Sequence, residues 1–225
     1  MRHYPAFLNL RGRRCLVVGA GEVGTRKIET LLSCGPAEVL VVDTAPPSAR
    51  MKALLDTPAV VYNQRPFEEN DLEGRTLVFV CTNNAQLNAT IGTMCETRGQ
   101  LCNIADAPTQ SGFIVPATFD RGSLVVALST GGASPAVARR IRMELEAALG
   151  PSCGAFVELM GRIRPLVLEL GMPTAANTEI FRKLAHGPLM AAIGEGDAEQ
   201  VRDILTQELP AALHPRIGEV LDGIV

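Results

Sequence analysis

Apolar residues run along this chain in two rhythms. In the first half, short unbroken apolar runs alternate with stretches where apolar side chains recur every three or four positions. The runs are Cys15-Leu-Val-Val-Gly19, Val39-Leu-Val-Val-Asp43, Val60-Val-Tyr62, Leu77-Val-Phe-Val-Cys81 and Leu101-Cys-Asn-Ile-Ala105. Each reads as a strand, and continuity rather than alternation fits a sheet covered on both faces. Between them, Gly24 to Ser33 keeps Ile28, Leu31 and Leu32 on one side and stops at Gly35-Pro36. Pro47 to Leu55 reads as a second helix. Asn84 caps a third, whose apolar face runs through Leu87, Ile91 and Met94 or Cys95. Strands alternating with helices imply parallel βαβ units, hence an α/β, Rossmann-like doubly wound sheet.

After Asp106 the rhythm changes. Phe113-Ile-Val115 and Leu124-Val-Val-Ala-Leu128 read as strands linked by a hairpin-like turn at Asp120-Arg-Gly122. Ser134 then caps a helix with Pro135 in the favoured first position, and Val137, Ile141, Leu145 and Leu149 line one side of it. From Pro151 onward only helical patterns remain, among them Phe156 to Leu170, with Pro165 inside it, and Asp197 to Leu209. The expected division is therefore a doubly wound domain over 1–112, a small α+β segment over 113–150 and a helical domain over 151–225.

Composition narrows the function classes. Aromatic residues are 4% of the 225 positions with no Trp, so the core must be built from Val, Leu, Ile and Met. A net charge of −3 lacks the basic footprint of general nucleic-acid binding. The six cysteines include no CxxC pair, which leaves a zinc or iron–sulfur site unsupported, and the expectation is no resident metal. The start, Met1-Arg-His-Tyr-Pro5, has no signal-peptide apolar region, and reduced thiols fit a cytoplasmic protein. The uncharged stretch Gly122 to Ala138 contains Gly131, Gly132, Ser134 and Pro135, which makes it a poor membrane span.

The first chemical signal is Gly19-Ala-Gly21-Glu22-Val23-Gly24. A GxGxxG is weak alone, but here it follows a strand and opens a helix, the context the motif requires. Gly19 permits the tight turn, Gly21 lets the backbone approach a pyrophosphate, and Gly24 allows close packing of helix on strand. The helix N-terminus offers unpaired N–H groups and a positive dipole end. Asp43 ends the second strand nineteen residues after Gly24. Its carboxylate can accept from ribose hydroxyls and would repel a 2′-phosphate, which favours NAD over NADP, while Arg50 nearby weighs the other way. A strand-end Asp that only caps the following turn is the plainer alternative.

A second constellation follows. Asn103-Ile-Ala-Asp106 closes the last strand of the sheet, on the side where ligands sit in open α/β folds. Asp106 can be a general base, or an Asp that caps the turn before Pro108; spacing leaves the two level. Ser129-Thr130-Gly131-Gly132-Ala-Ser134-Pro135 lies between strand and helix, and reads as an anion-binding loop or as a plain turn. Arg139, Arg140 and Arg142 follow on the helix, able to grip carboxylates or to form a solvated face paired with Glu144 and Glu146.

Taken together, these residues resemble one family. Tyr4-Pro5-x-Phe7-Leu-x-Leu10-Arg-Gly12, the glycine loop with Arg26-Lys27, and Val80-Cys-Thr-Asn-Asn-Ala-Gln-Leu-Asn88 carry the resemblance. Asn103-x-x-Asp106, Phe113-x-x-Pro116-Ala, Asp120-Arg121 and Ser129 to Arg140 extend it to about Leu149. The family is precorrin-2 dehydrogenase, the dehydrogenase and ferrochelatase module of siroheme synthase. The resemblance implies oxidation of precorrin-2 to sirohydrochlorin with NAD as hydride acceptor. It also implies a homodimer that exchanges the segment after the nucleotide domain, so that 113–150 serves dimerisation and substrate binding. Asp106 matches the catalytic aspartate. Thr82 and Asn83 join the glycine loop and Asp43 at the cofactor. Asn103, Thr130, Gly131, Gly132, Ser134, Arg139 and Arg140 face a substrate bearing eight carboxylates. Gly24 stands where the family commonly has Ala, a difference expected to be harmless for phosphate binding. Thr130 stands where some bifunctional members have Ser, and Asp43 where many members have a small neutral residue. Iron insertion stays open, since no motif assigns it to a separate residue. A nucleotide-sensing module without chemistry is the alternative from another class; it would need neither Asp106 nor the second loop. A chelatase without dehydrogenase activity is disfavoured by the intact glycine loop.

Overall fold

The computed structural model describes residues 3–105 and 107–225. Two compact units divide it, residues 1–115 and 116–225.

The first unit holds β1 (Arg14–Val18), α1 (Glu22–Ser33), β2 (Glu38–Asp43), α2 (Ala49–Leu54), β3 (Val60–Gln64), β4 (Leu77–Val80), α3 (Ala85–Thr97) and β5 (Leu101–Ile104). Its strands form a five-stranded sheet in the order β3-β2-β1-β4-β5, parallel throughout. This is the doubly wound sheet that the alternation predicted. Its continuous apolar runs have a direct cause. Alternate residues of each strand enter opposite cores: Cys15, Val17, Val39, Val41, Leu77 and Phe79 meet Ile28, Leu31 and Met51 on one face. Leu16, Val18, Leu40, Val42, Val78 and Val80 meet Ile91, Cys95 and Leu72 on the other. Each fully buried aliphatic side chain is worth roughly 1.5–3 kcal/mol, so neither face tolerates polar positions.

Helix boundaries follow the local chemistry. Gly35 takes φ +65° after α1, and its N–H and that of Cys34 satisfy Leu32 and Leu31 carbonyls. α2 is shorter than Pro47 to Leu55, because the Ser48 side chain accepts from the Met51 N–H and starts the helix after the Pro46-Pro47 pair. Asn84 caps α3 through the Leu87 N–H, as its position predicted.

The second unit holds β6 (Ala117–Arg121), β7 (Leu124–Leu128), α4 (Pro135–Ala148), α5 (Gly150–Glu169), α6 (Thr174–His186), α7 (Leu189–Glu195), α8 (Ala198–Glu208) and α9 (Ile217–Leu221). The hairpin corrects one expectation. Its first strand is Ala117–Arg121 and not Phe113–Val115, and it turns at Gly122, φ +61°. Pro116 lacks the N–H a ladder needs. Phe113 instead packs edge-on against Phe79 of the first unit's own core, ring centroids 5.5 Å apart. Gly154 of α5 brings that helix onto the hairpin, since a Cβ there would lie 2.5 Å from the Arg121 carbonyl oxygen. The helical core gathers Leu159, Ile163 and Val167 of α5 with Leu184, Leu189, Val201 and Leu205. No helix among the described residues is long and apolar enough to cross a membrane.

Candidate functional site

The sheet order places β1 between β2 and β4, and the chain after β1 emerges where the strand order reverses. Doubly wound folds open a ligand crevice there. Gly19 occupies that point with φ +92°, and its N–H donates to the Val42 carbonyl at 2.9 Å. A Cβ on Gly19 would sit 2.7 Å from the Cys81 carbonyl oxygen, so the loop passes between the ends of β2 and β4 only because side-chain atoms are missing. Gly21 differs. Nothing lies within 4 Å of where its Cβ would be. It precedes α1 without any side-chain cap, leaving first-turn N–H groups to be satisfied from outside. Gly24 is the tightest of the three: a Cβ there would lie 1.9 Å from the Gly19 carbonyl oxygen. The exchange with Ala that looked harmless in sequence is thus not neutral in this backbone, because α1 has settled onto the loop at a distance that only Gly permits.

Two further side chains hold the loop. The buried Thr25 hydroxyl donates to the Ala20 carbonyl at 3.1 Å. Asp43 accepts from the Ala20 N–H at 2.6 Å through one carboxylate oxygen and from the Ala45 N–H at 2.8 Å through the other. It therefore anchors the loop and caps its own turn together, and each oxygen keeps further acceptor capacity for a ribose hydroxyl. Glu22 is exposed and paired with Arg26, and Val23 is exposed. Beneath the site, burial lowers the Lys27 ammonium pKa, and its nitrogen lies 5.7 Å from the Phe79 ring centre.

A cavity of about 720 Å³ opens over this edge. Gly19, Gly21, Asp43, Thr82 and Asn83 line it, so five of the predicted cofactor residues meet in one place, whereas Glu22, Val23 and Gly24 lie outside the lining. Thr82 is held by Asn88: the Asn88 amide donates to the Thr82 carbonyl at 2.9 Å, and the Thr82 hydroxyl donates to the Asn88 side-chain oxygen. Arg65, Pro66 and Phe67 after β3 and Leu87 of α3 complete the walls. Sequence reasoning missed Arg65 and Asn88. Asn88 stood within a quoted motif as the next asparagine one helical turn after Asn84. Arg65 carried no local signal, because strand pairing alone brings it beside Asp43. The open Gly21 backbone, the uncapped helix start and the acceptor on Asp43 fit a dinucleotide pyrophosphate and its ribose.

Asn103 lies at the end of β5, where its amide donates to the Phe113 carbonyl at 3.0 Å and ties down the 111–115 segment. Asp106 lies outside the described residues.

In the second unit, the Ser129–Ser134 loop is internally braced. The Thr130 hydroxyl accepts from the Ser134 N–H at 3.2 Å and donates to its carbonyl at 3.1 Å. Gly131 and Gly132 take φ +64° and +88° with open space beside them. Ser134 caps α4 by accepting from the Val137 N–H at 3.3 Å. Arg139 is exposed, and Arg140 is exposed and paired with Glu144 at 2.8 Å. Arg142 takes the Glu146 pairing that was one of its two readings, but not on a solvated face. It is half-buried and shares Glu146 with Arg121, a network joining α4 to the hairpin.

Comparison with known proteins matches these units one by one. Residues 6–117 match the family model described as putative NAD(P)-binding, and residues 121–148 match the one described as sirohaem biosynthesis protein central. The siroheme synthase of Nitrosococcus oceani is 33% identical over 221 residues, covering 98% of this chain and 47% of that protein. That of Citrobacter koseri is 32% identical over 222 residues, covering 98% and 48%. A solved structure, SirC, precorrin-2 dehydrogenase, aligns with a TM-score of 0.76 at 26% identity over 92% of this chain and 98% of that one. This chain belongs to the precorrin-2 dehydrogenase family that siroheme synthases share. It spans about half the length of the curated relatives it matches. The central model covers the hairpin turn, the Gly131-Gly132 loop and α4, so the family match continues past the nucleotide unit into the second constellation.

Proposed function

We propose that this chain oxidises precorrin-2 to sirohydrochlorin, with NAD accepting the hydride. The observation that carries the reading is the cavity at the sheet's switch point, where open Gly21, uncapped α1 and Asp43 converge. When bound, NAD supplies the hydride acceptor; the chain's own groups must orient the pair and take the proton. Asp43 orients the ribose, and the first-turn N–H groups of α1 take the pyrophosphate. Asp106 takes the proton released as hydride leaves the macrocycle. Asn103, Thr130, Gly131, Gly132, Ser134, Arg139 and Arg140 hold the carboxylate-rich substrate, with backbone N–H groups of the glycine pair and exposed guanidinium groups as donors. The domains are a nucleotide domain over 1–112, a dimerisation and substrate segment over 113–150 and a helical domain over 151–225. Val125, Val137 and Met143 stay exposed on that middle segment, which supports its burial in a homodimer, and the compartment proposed for it is the cytoplasm.

The test is direct. Purified protein mixed with precorrin-2 and NAD should yield NADH and sirohydrochlorin in equal amounts. Asp106→Asn should lose that turnover while still binding NAD in a calorimeter. Absence of both products with the unaltered protein would favour a nucleotide sensor instead. Metal insertion is read separately, by adding Fe²⁺ or Co²⁺ to sirohydrochlorin with the protein and against a protein-free control.

A further inference from the structure

Arg50 follows the end of β2 in sequence and Arg65 adjoins it in strand register, and an arginine at that strand end is the ordinary way to accommodate the 2′-phosphate of NADP. Both are already held. Arg50 on α2 donates from Nε and Nη2 to the two carboxylate oxygens of Glu29 on α1, at 2.7 and 2.5 Å, and it does not line the cavity. Arg65 does line it. It follows Gln64, whose register partner on the neighbouring strand is Asp43. Its Nη1 and Nη2 donate to the two carboxylate oxygens of Asp71 at 2.9 and 2.6 Å, and Nη1 also donates to the Pro66 carbonyl at 2.9 Å.

Asp71 is built to hold that grip. It is 5% exposed and lies outside the cavity lining. The Glu68 N–H donates to it at 2.9 Å, and its carbonyl accepts from Arg75 Nε at 3.1 Å. Burial alone would raise its pKa, but the hydrogen bonds from Arg65 and from the Glu68 N–H outweigh it and hold the carboxyl below the usual carboxylate range. The planar fork of an arginine is what grips a phosphate, and here Asp71 pairs with the charge and holds the Nη1–Nη2 edge.

We propose that Asp71 is a specificity-determining residue: by pairing with the Nη1–Nη2 edge of Arg65 and neutralising its charge, it weakens the hold of that cation on a 2′-phosphate and selects a nucleotide whose 2′-hydroxyl is free. The inference rests on the nucleotide reading above and deepens it. Asp43 repels the phosphate, and Asp71 removes the charge that would compensate. Arg65 is left as a neutralised wall of the adenosine end.

The test is nucleotide binding by isothermal titration calorimetry on the full chain, independent of turnover. The unaltered protein should prefer NAD over NADP. Asp71→Asn frees the Arg65 fork and should shift the affinity ratio toward NADP about tenfold, the worth of one charge-assisted contact to phosphate. Adding Arg65→Ala to that variant should restore the original ratio. Arg65→Ala alone covers the case in which Asp71→Asn folds poorly: it should weaken both nucleotides in parallel, keeping their ratio within about twofold. An unchanged ratio in folded Asp71→Asn protein, or selective loss of NADP binding in Arg65→Ala, overturns the proposal. If the unaltered protein binds neither nucleotide, the nucleotide reading itself falls, and this inference with it.

Discussion

Gly24→Ala is a one-methyl change whose sign is not obvious. An added Cβ would lie 1.9 Å from the Gly19 carbonyl oxygen and 3.0 Å from its carbon, while real Cβ atoms essentially never approach below 3.0 Å. The helix must therefore retreat from the loop by about an ångström, and the displaced atom is backbone that cannot rotate aside. Alanine in a helix gains roughly 1 kcal/mol over glycine, whereas forcing an extra methyl into a closed contact costs roughly 1–3 kcal/mol. The steric term wins, and a net loss of about 1 kcal/mol should lower the melting temperature by roughly 4 °C for a unit of this size. NAD affinity should fall about tenfold, because the N–H groups of the first turn move with the helix. Thermal melting and calorimetric titration of the two proteins, side by side, decide it. Equal melting temperature and equal NAD affinity would show that the loop relaxes freely, and the close-packing argument for Gly24 would be wrong.

Other outcomes follow from the same geometry. Asp43→Ala removes the acceptor for the Ala20 and Ala45 N–H groups as well as for ribose, so calorimetry should show NAD binding weakened about tenfold to a hundredfold, and undiminished binding would remove Asp43 from the site. Burial pushes the Cys15 thiol up to about 11 from an ordinary value of 9.0. A raised folded-state pKa contributes stability that is complete below pH 9.0 and is lost as pH rises through about 11, so the alkaline decline in denaturant midpoint should be shallower in Cys15→Ala. Parallel declines in the two proteins would discard that assignment. Glu146→Gln strips the partner from Arg121 and Arg142, each half-buried, and should cost about 1–2 kcal/mol in urea unfolding, with no change as the contrary result. Arg140→Ala breaks only an exposed pair with Glu144, so stability should move by less than about 0.5 kcal/mol while KM for the tetrapyrrole rises; an unchanged KM would take Arg140 out of substrate binding.

Much of this molecule is legible in its sequence because the relevant physics is local. Apolar runs such as Val39 to Val42 are unbroken because both sheet faces are covered, and that demand is written residue by residue. Asn84, Ser134 and the Gly35-Pro36 stop act within a few residues of themselves, so their roles can be read without the fold. The glycine loop is legible for the same reason, since turn, approach and close packing each need a missing Cβ at a fixed spacing. The first hairpin strand misled because Phe113-Ile-Val115 has strand character, yet Phe113 is claimed by Phe79, and a long-range contact outweighs local propensity.

Only the tertiary structure decided how the charges are spent. In sequence only Arg50 lies near Asp43, and Arg65 carries no local signal. Strand register brings Arg65 to the cavity and leaves Arg50 on a helix pair, and burial of Asp71 converts the first from a free cation into a neutralised wall. Arg142 and Arg140 part in the same way, one half-buried on Glu146 and the other exposed. The pattern of apolar residues determines which elements form and which faces are covered. Whether a charged side chain is available to a ligand depends on partners far away in the chain, and those partners are named only when the sheet is assembled.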